Sequence, residues 1–337
     1  MDSTTPRLTA LDTWLRAQFP DSNGGYSLAP ASADASFRRY FRITVPGSTY
    51  VVMDAPQELE DCRPFVHVAG LMHEAGVNVP RVIAADLDQG FLLLTDLGTR
   101  TYLDVLDSSR FDELFRPAND ALVKWQRATR AGALPIWDST RIRSEMNLFI
   151  EWFLGRHSGA MLDASHLGKL DAVFDAITQR CLSQSQVFVH SDYMPRNLML
   201  SDQLPGVLDF QDAVIGPIAY DIASLYRDAF VSWDEEQVLD GTIRYWEAAR
   251  KAGLQVPSQF GEFYEDVEWT GLQRHLRILG VFARLNYRDG KPHYLEDAPR
   301  FVHYVRHTAR RYGALAPLIR LLDELRIGET AEAGLSF

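Results

Sequence analysis

The sequence predicts an α+β fold with a small, strand-rich N-terminal lobe and a larger, mainly helical C-terminal lobe. Three observations lead to this prediction. Apolar residues alternate with polar ones in the first part of the chain, helical periodicity dominates the rest, and a group of short apolar runs interrupts the helical part. The 337 residues suffice for two lobes with a sizeable core. We therefore expect lobes of residues 1–97 and 98–337.

The N-terminal lobe is predicted to combine strands with two helices. Leucine and phenylalanine recur at helical spacing over residues 6–19, which predicts an amphipathic helix. Alternating residues around a Pro-Gly turn predict strands within 26–54. A helix over 64–76, ended by a glycine, and a hairpin over 81–96 complete the lobe.

The C-terminal lobe is predicted to be mostly helical, because its apolar residues recur every three or four positions. The helices are expected over 110–130, 142–157, 164–183, 219–231, 235–252, 258–287 and 297–326, and short strands over 187–190, 198–200 and 206–209. Polar residues cluster between these strands, so the strands can serve as a rigid support for a site.

Composition excludes several classes of function. The net charge of −11 argues against a broad basic face for nucleic acid. The two cysteines have no metal-ligand spacing, which favours a reducing compartment. No apolar run approaches the ~20 residues of a membrane span, and the first residues lack the apolar core of a signal peptide. We therefore expect a cytoplasmic protein without nucleic-acid or membrane partners. A monomer is expected, although the sequence does not determine the oligomeric state.

The stretch "VFVHSDYMPRNLML" (187–200) places polar residues between two apolar runs. His190, Asp192 and Asn197 follow the pattern H-x-D-x4-N, and Asp209 comes twelve residues after the asparagine. Phosphoryl transfer needs such a set: one carboxylate orients the attacking hydroxyl, while an amide and a second carboxylate hold the divalent ions on the nucleotide. The pattern therefore predicts Asp192, Asn197 and Asp209 as catalytic residues, the last two as Mg²⁺ ligands.

The same spacing occurs in the catalytic loop of protein kinases, here with Ser191 in place of arginine and Asp-Phe-Gln in place of Asp-Phe-Gly. Together with "LDFQDAVIGPIAYDIASL" (208–225), this variant resembles the aminoglycoside phosphotransferase family, which has a bilobal protein-kinase-like fold. The resemblance implies ATP and Mg²⁺ as cofactors. It also implies that Asp221 braces the catalytic loop by accepting backbone N–H bonds, with His190 and Asp212 as structural support.

One part of the kinase-like pattern is missing. Such folds usually hold the nucleotide phosphates with a lysine on the third strand, paired with a glutamate on the next helix. The first 123 residues contain no lysine, Met53 lies near the expected strand position, and the helix 64–76 has its only acid, Glu74, near its end. Either the protein is a non-catalytic pseudokinase, or arginine replaces the lysine through bidentate phosphate contacts.

We favour replacement by arginine, because the catalytic aspartate, the asparagine and the metal aspartate are all intact. The segment "SADASFRRYFR" (32–42) offers small residues followed by three arginines. The segment "LLLTDLG" (92–98) corresponds to the hinge where kinase-like enzymes bind adenine through backbone groups. The predicted cofactor-binding residues are Ser36, Arg38, Arg39, Thr95, Asp96 and Leu97.

Longer sequence segments narrow the range of possible phosphate acceptors. "VVMDAP" (51–56) and "QRHLRILGVFARLNYRDGK" (273–291) resemble one bacterial subgroup of the family, the anomeric N-acetylmuramate/N-acetylglucosamine kinases of peptidoglycan recycling. That subgroup also lacks the lysine. The resemblance implies phosphorylation of an amino sugar at its C1 hydroxyl, with an aminoglycoside, choline or homoserine as alternative acceptors. The residues expected to contact the sugar are Asp228, Trp269, Arg274 and His275.

Overall fold

The computed structural model describes residues 4–20, 25–31, 38–228 and 230–328. The chain divides into two compact units, the first of Met1–Ala128 and Pro195–Asp212 and the second of Thr129–Met194 and Ala213–Phe337. The first unit therefore contains the predicted first lobe together with two further segments. The functional boundary at residue 97 stays a prediction.

Helices and short strands account for most of the described residues. In chain order they are α1 (Thr4–Gln18), β1 (Ser27–Pro30), β2 (Arg39–Val45), β3 (Ser48–Asp54), α2 (Arg63–Glu74), β4 (Val82–Asp86), β5 (Phe91–Thr95), α3 (Phe111–Arg127), α4 (Ser139–Leu148), α5 (Ala164–Ser183), β6 (Gln186–Val189), β7 (Leu198–Met199), β8 (Gly206–Val207), β9 (Val214–Pro217), α6 (Tyr220–Tyr226), α7 (Glu235–Lys251), α8 (Phe260–Asp289), α9 (Ala298–Arg311) and α10 (Ala316–Glu324). A π-helical segment, Phe149–His157, continues α4. Among the described residues, no helix is both long and apolar enough to cross a lipid bilayer.

The first unit is built on a five-stranded antiparallel sheet with the order β1-β2-β3-β5-β4. Helix α1 covers one face of this sheet, because Leu11 and Leu15 lie one turn apart and pack with Ile43 and Val52. The turn between β2 and β3 needs Gly47, whose φ of 83° suits glycine. The predicted strands, hairpin and first two helices of this region are confirmed.

The second unit is organised around α8, a helix of 30 residues. It packs against α4, α5, α6, α7 and α9, and it carries buried residues on all sides, as expected of a helix enclosed by others. Gly280 permits the approach of α4, since a Cβ there would lie 2.3 Å from the carbonyl carbon of Leu148. This packing fixes the position of α8, which carries three of the predicted sugar-contact residues.

Two predicted helices differ from the structure, and one strand was not predicted. The helix expected over 297–326 is divided into α9 and α10, because Pro317 suits the first turn of a new helix and not a helix interior. The helix expected over 219–231 ends at Tyr226. Strand β9 was not predicted; it pairs with β6, while β7 pairs with β8, so the two apolar runs of 187–200 belong to different sheets.

Candidate active site

A buried carboxylate shapes the turn that follows β6 in the second unit. Asp221 accepts the backbone N–H of His190 at 2.7 Å and that of Ser191 at 3.1 Å. Ser191 has a φ of 81°, a left-handed conformation that costs a non-glycine residue about 1–2 kcal/mol. The two hydrogen bonds offset this strain. They are the contacts that a loop-bracing role requires.

Asp221 is fully buried, and its charge is therefore unfavourable. Burial raises the pKa of Asp221 to about 7, although the N–H groups of His190 and Ser191 act to lower it. The nearby Asp192 carboxylate raises this pKa further, and the Arg274 guanidinium lowers it. The brace therefore changes protonation near neutral pH.

Asp192 follows Ser191 in the chain and is half-buried. Its backbone N–H donates to Nδ1 of His190 at 3.2 Å. The His190 ring is fully buried and meets the Tyr193 ring edge-on, with centroids 5.5 Å apart. His190 therefore holds the backbone of Asp192.

In the first unit, the ends of β7 and β8 bring an amide and a carboxylate together. Nδ2 of Asn197 lies 3.4 Å from Oδ2 of Asp209, and the Leu208 N–H donates to the Asn197 carbonyl oxygen at 2.9 Å. Asp209 has a φ of 62°, which ends the strand predicted to continue through it. Gln211 donates to Oδ1 of Asp209 at 2.9 Å and reaches Asp212 at 3.4 Å. Carboxylate and amide oxygens are ligand types that Mg²⁺ prefers, but the described residues contain no group of three or more His, Cys, Asp or Glu side chains placed to hold a metal ion.

The residues predicted to bind the nucleotide have different interaction partners in the structure. Ser36 lies outside the described residues. Arg38 forms an ion pair with Glu60, and Arg39 forms one with Asp54. The contact between Glu60 and Arg38 was not predicted from the sequence, because an acid in the turn before a helix is usually solvated.

Thr95, Asp96 and Leu97 line a cleft of about 680 Å³ in the first unit. The Thr95 N–H is already bonded to the Arg81 carbonyl oxygen at 3.0 Å, so it is not available to adenine. Burial would raise the pKa of Asp96, but hydrogen bonds from Arg42 and the Gly98 N–H hold it below its usual value. The Asp96 carboxylate therefore has a structural role, and adenine contacts in this segment stay a prediction.

The four predicted sugar residues are all buried in the second unit. Trp269 packs against Tyr312, with ring centroids 5.6 Å apart. His275 stacks on Tyr304 at 5.0 Å, and burial lowers the pKa of His275 to about 3, so the ring is neutral. These two residues have clear packing roles, and direct sugar contacts by them stay predictions.

Arg274 has different surroundings. It is 1% exposed, and its Nε and Nη1 have no hydrogen-bond acceptor among the described residues. Asp228 is also fully buried. A buried guanidinium with two nitrogens that lack acceptors is rare, because leaving buried polar groups without hydrogen bonds is costly. Arg274 is therefore the strongest of the four candidates for binding an anionic or polar group.

Comparison with known proteins agrees with the motifs. The sequence profile of the phosphotransferase enzyme family matches residues 27–257, more than half of the chain. The chain belongs to this phosphotransferase family. The resemblance drawn from "HSDYMPRN" and the segment after it is thereby confirmed.

Relatives within the family match nearly the whole chain. The N-acetylmuramate/N-acetylglucosamine kinase of Pseudomonas aeruginosa is 50% identical over 331 residues, which cover 98% of this chain and 96% of that protein. The protein of the same name from Neisseria meningitidis serogroup B is 46% identical over 336 residues, which cover 98% of this chain and 99% of that protein.

Solved phosphotransferase structures have the same fold. The GDP complex of aminoglycoside 2'-phosphotransferase-IIIa has a TM-score of 0.60 and 17% sequence identity, covering 90% of this chain and 99% of that chain. This likeness confirms the predicted α+β, protein-kinase-like fold class.

Proposed function

We propose that this phosphotransferase transfers the γ-phosphoryl group of ATP to the anomeric C1 hydroxyl of N-acetylmuramate and of N-acetylglucosamine. The observation that carries the proposal is the identity of 46–50%, over almost the full length, to relatives named as kinases of these two sugars. The products are sugar 1-phosphates, which suit a role in peptidoglycan recycling. A cytoplasmic location and a monomeric state stay predictions.

Asp192 is the proposed base. Its half-buried carboxylate accepts the proton of the C1 hydroxyl as the oxygen attacks the γ-phosphorus and ADP leaves. A positioned base of this kind contributes about 10²–10⁴-fold to the rate. His190 supports the proposal because its ring fixes the Asp192 backbone, and Asp221 supports it by holding the strained turn before it.

Asn197 and Asp209 are the proposed Mg²⁺ ligands. Their amide and carboxylate groups lie together, and Gln211 orients the aspartate. When bound, Mg²⁺ would neutralise charge on the phosphate oxygens. Asp212 lies next to this pair and contacts Gln211, which fits its predicted supporting role.

The acceptor is proposed to be recognised by residues of the second unit. Arg274 supports this proposal because a buried guanidinium with two nitrogens lacking acceptors can bind a carboxylate. N-acetylmuramate carries a carboxylate and N-acetylglucosamine does not. Asp228 can accept hydrogen bonds from sugar hydroxyls, whereas Trp269 and His275 would shape the site through packing.

Turnover with a panel of acceptors tests the proposal. Purified protein is mixed with ATP, Mg²⁺ and each sugar or its 1-O-methyl glycoside, and ADP release and the product's phosphorus NMR spectrum are followed. We expect turnover of the free sugars and none of the 1-O-methyl forms, because only the free sugars have a C1 hydroxyl. Turnover of kanamycin, choline or homoserine instead would contradict the acceptor. Nucleotide binding without turnover would favour a pseudokinase.

The role of Asp192 is tested in the same assay. Asp192→Asn should lower kcat by about 10²–10⁴-fold with an unchanged melting temperature. The matched control is Asp234→Asn, which removes an exposed carboxylate that forms no capping hydrogen bond. Retention of wild-type kcat by Asp192→Asn would show that another group accepts the proton.

A further inference from the structure

The first unit has three arginines in β2 or directly before it, and each has a different partner. We infer that Arg38, held in place by Glu60, is the cation that binds the nucleotide's phosphates where related folds use lysine. The inference rests on the proposed kinase function and deepens it. It assigns phosphate binding to Arg38 and structural roles to Arg39 and Arg42, a distinction that could not be made from the sequence alone.

Arg39 is committed to the packing of α1. It lies opposite Asp54 in the register of β2 and β3, and its Nε donates to Oδ2 of Asp54 at 3.0 Å. Arg7 of α1 donates to the other oxygen of the same carboxylate at 2.7 Å. Asp54 is fully buried, so removal of either arginine would leave part of its charge unpaired. Arg39 therefore joins α1 to the sheet.

Arg42 is committed to the segment that follows β5. Its Nε and Nη2 bind the two oxygens of Asp96 at 2.6 Å and 3.0 Å, and Nη2 also donates to the Gly98 carbonyl oxygen at 2.7 Å. This bidentate pair with an added backbone bond satisfies most of the guanidinium. Arg42 therefore fixes the end of β5, where Asp96 and Gly98 accept its hydrogen bonds.

Arg38 directly precedes β2, and its side chain hydrogen-bonds the Tyr40 phenol. Successive side chains of a strand point to opposite faces, so Tyr40 lies on the other face of the sheet from Arg39. Burial raises the pKa of Tyr40 to about 12, with Arg38 acting to lower it and Asp209 acting to raise it. Both charged groups therefore lie near the Tyr40 phenol. Arg38 and the proposed metal ligand Asp209 thus share Tyr40 as a neighbour, and Tyr40 lies opposite Met53 in the register of β2 and β3, near the strand position where related folds carry the lysine.

Glu60 explains how an arginine can be held there. It lies in the turn before α2, and its carboxylate pairs with Nη2 of Arg38; the two side chains are 26% and 10% exposed. A guanidinium has five N–H donors in a fixed plane, so it can keep a carboxylate and still bind phosphate oxygens. The pair thus replaces the absent lysine and helix glutamate together, with the acid placed before the helix.

Binding of adenosine, AMP, ADP and MgATP to the whole chain, measured by isothermal titration calorimetry, tests the inference. Arg38→Ala should weaken MgATP binding by about 10- to 100-fold, the size expected for lost charge-assisted bonds, and should change adenosine binding less than twofold. Glu60→Gln should weaken MgATP binding by a smaller factor. The matched control is Arg63→Ala, since Arg63 is 58% exposed and its charged partner is the exposed Asp61.

Three outcomes with the arginine variants would overturn the inference. One is unchanged MgATP affinity in Arg38→Ala, and another is an equal loss of adenosine and MgATP affinity, which would indicate a structural role only. The third is a phosphate-dependent loss in Arg39→Ala and not in Arg38→Ala. If Arg38→Ala does not fold, unchanged MgATP affinity in Glu60→Gln would overturn the inference. Because wild-type sugar turnover is measured separately, a wrong acceptor leaves this comparison valid.

Discussion

Replacement of Asp221 by asparagine removes one buried charge and keeps the size of the side chain. Burial raises the pKa of Asp221 from 3.8 to about 7. At about 1.36 kcal/mol per pKa unit, this rise corresponds to roughly 4 kcal/mol. The folded pKa lies above the unfolded one, so the folded state holds an extra proton between about pH 4 and pH 7. The stability from this proton is present below pH 4 and is lost as the pH rises to 7.

Urea unfolding at pH 5 and at pH 8 measures this linkage. Subtracting the free energy of unfolding of Asp221→Asn from that of the wild type cancels the other titrating groups. Two of the three pH units between pH 5 and pH 8 lie below the folded pKa of about 7. The free energy of unfolding of the wild type should therefore fall by roughly 3 kcal/mol relative to that of the variant. Asp234→Asn, which removes an exposed carboxylate, serves as the control and should show no such change.

Activity of the same variant tests the brace. Asparagine offers one acceptor oxygen, so the N–H of either His190 or Ser191 would lose its partner at a cost of about 1–3 kcal/mol. The turn before Asp192 would shift, and kcat should fall about 10- to 100-fold. A stability difference that stays constant from pH 5 to pH 8 would refute the raised pKa, and an unchanged kcat would refute the brace.

Three further substitutions test strain, packing and recognition. Ser191→Gly should raise the free energy of unfolding by about 1 kcal/mol, because glycine adopts the φ of 81° without strain. An unchanged free energy of unfolding in a urea titration would show that Ser191 is not strained in the wild type. Gly280→Ala should lower it by about 1–3 kcal/mol, because the added Cβ overlaps Leu148; an unchanged melting temperature would contradict this packing. Arg274→Met should lower kcat/KM for N-acetylmuramate about 10- to 100-fold more than for N-acetylglucosamine, with partial recovery in Arg274→Lys. Equal losses for both sugars would exclude a carboxylate contact.

The sequence predicted most of the fold, because long periodic segments carry their own signal. Helices α5, α7 and α8 begin and end within about two residues of the predicted bounds. The division between α9 and α10 was missed, although Pro317 marked it. Strand β9 was missed because four residues that include glycine and proline carry almost no strand signal.

Some contacts of the candidate site could be predicted from the sequence and others could not, for a physical reason. Asn197 and Asp209 are twelve positions apart at the two ends of the β7–β8 hairpin, and such local patterns can be seen in sequence. The partner of each arginine depends on which face of a strand it occupies and on how a distant turn packs. Glu60 meets Arg38 across 22 positions of the chain, and no local pattern encodes that contact.

The path of the chain through the first unit constrains how parts of this enzyme can be exchanged between relatives. Residues 195–212 belong to this unit although they follow 66 residues of the other one. The Val207 N–H donates to the Asn78 carbonyl oxygen at 2.8 Å, and the Tyr102 N–H donates to the Leu198 carbonyl oxygen at 2.7 Å. A chimera with a single crossover near residue 128 would join a foreign sheet to a native 195–212 segment. A hybrid that keeps these hydrogen bonds between native partners must take residues 1–128 and 195–212 from the same parent protein.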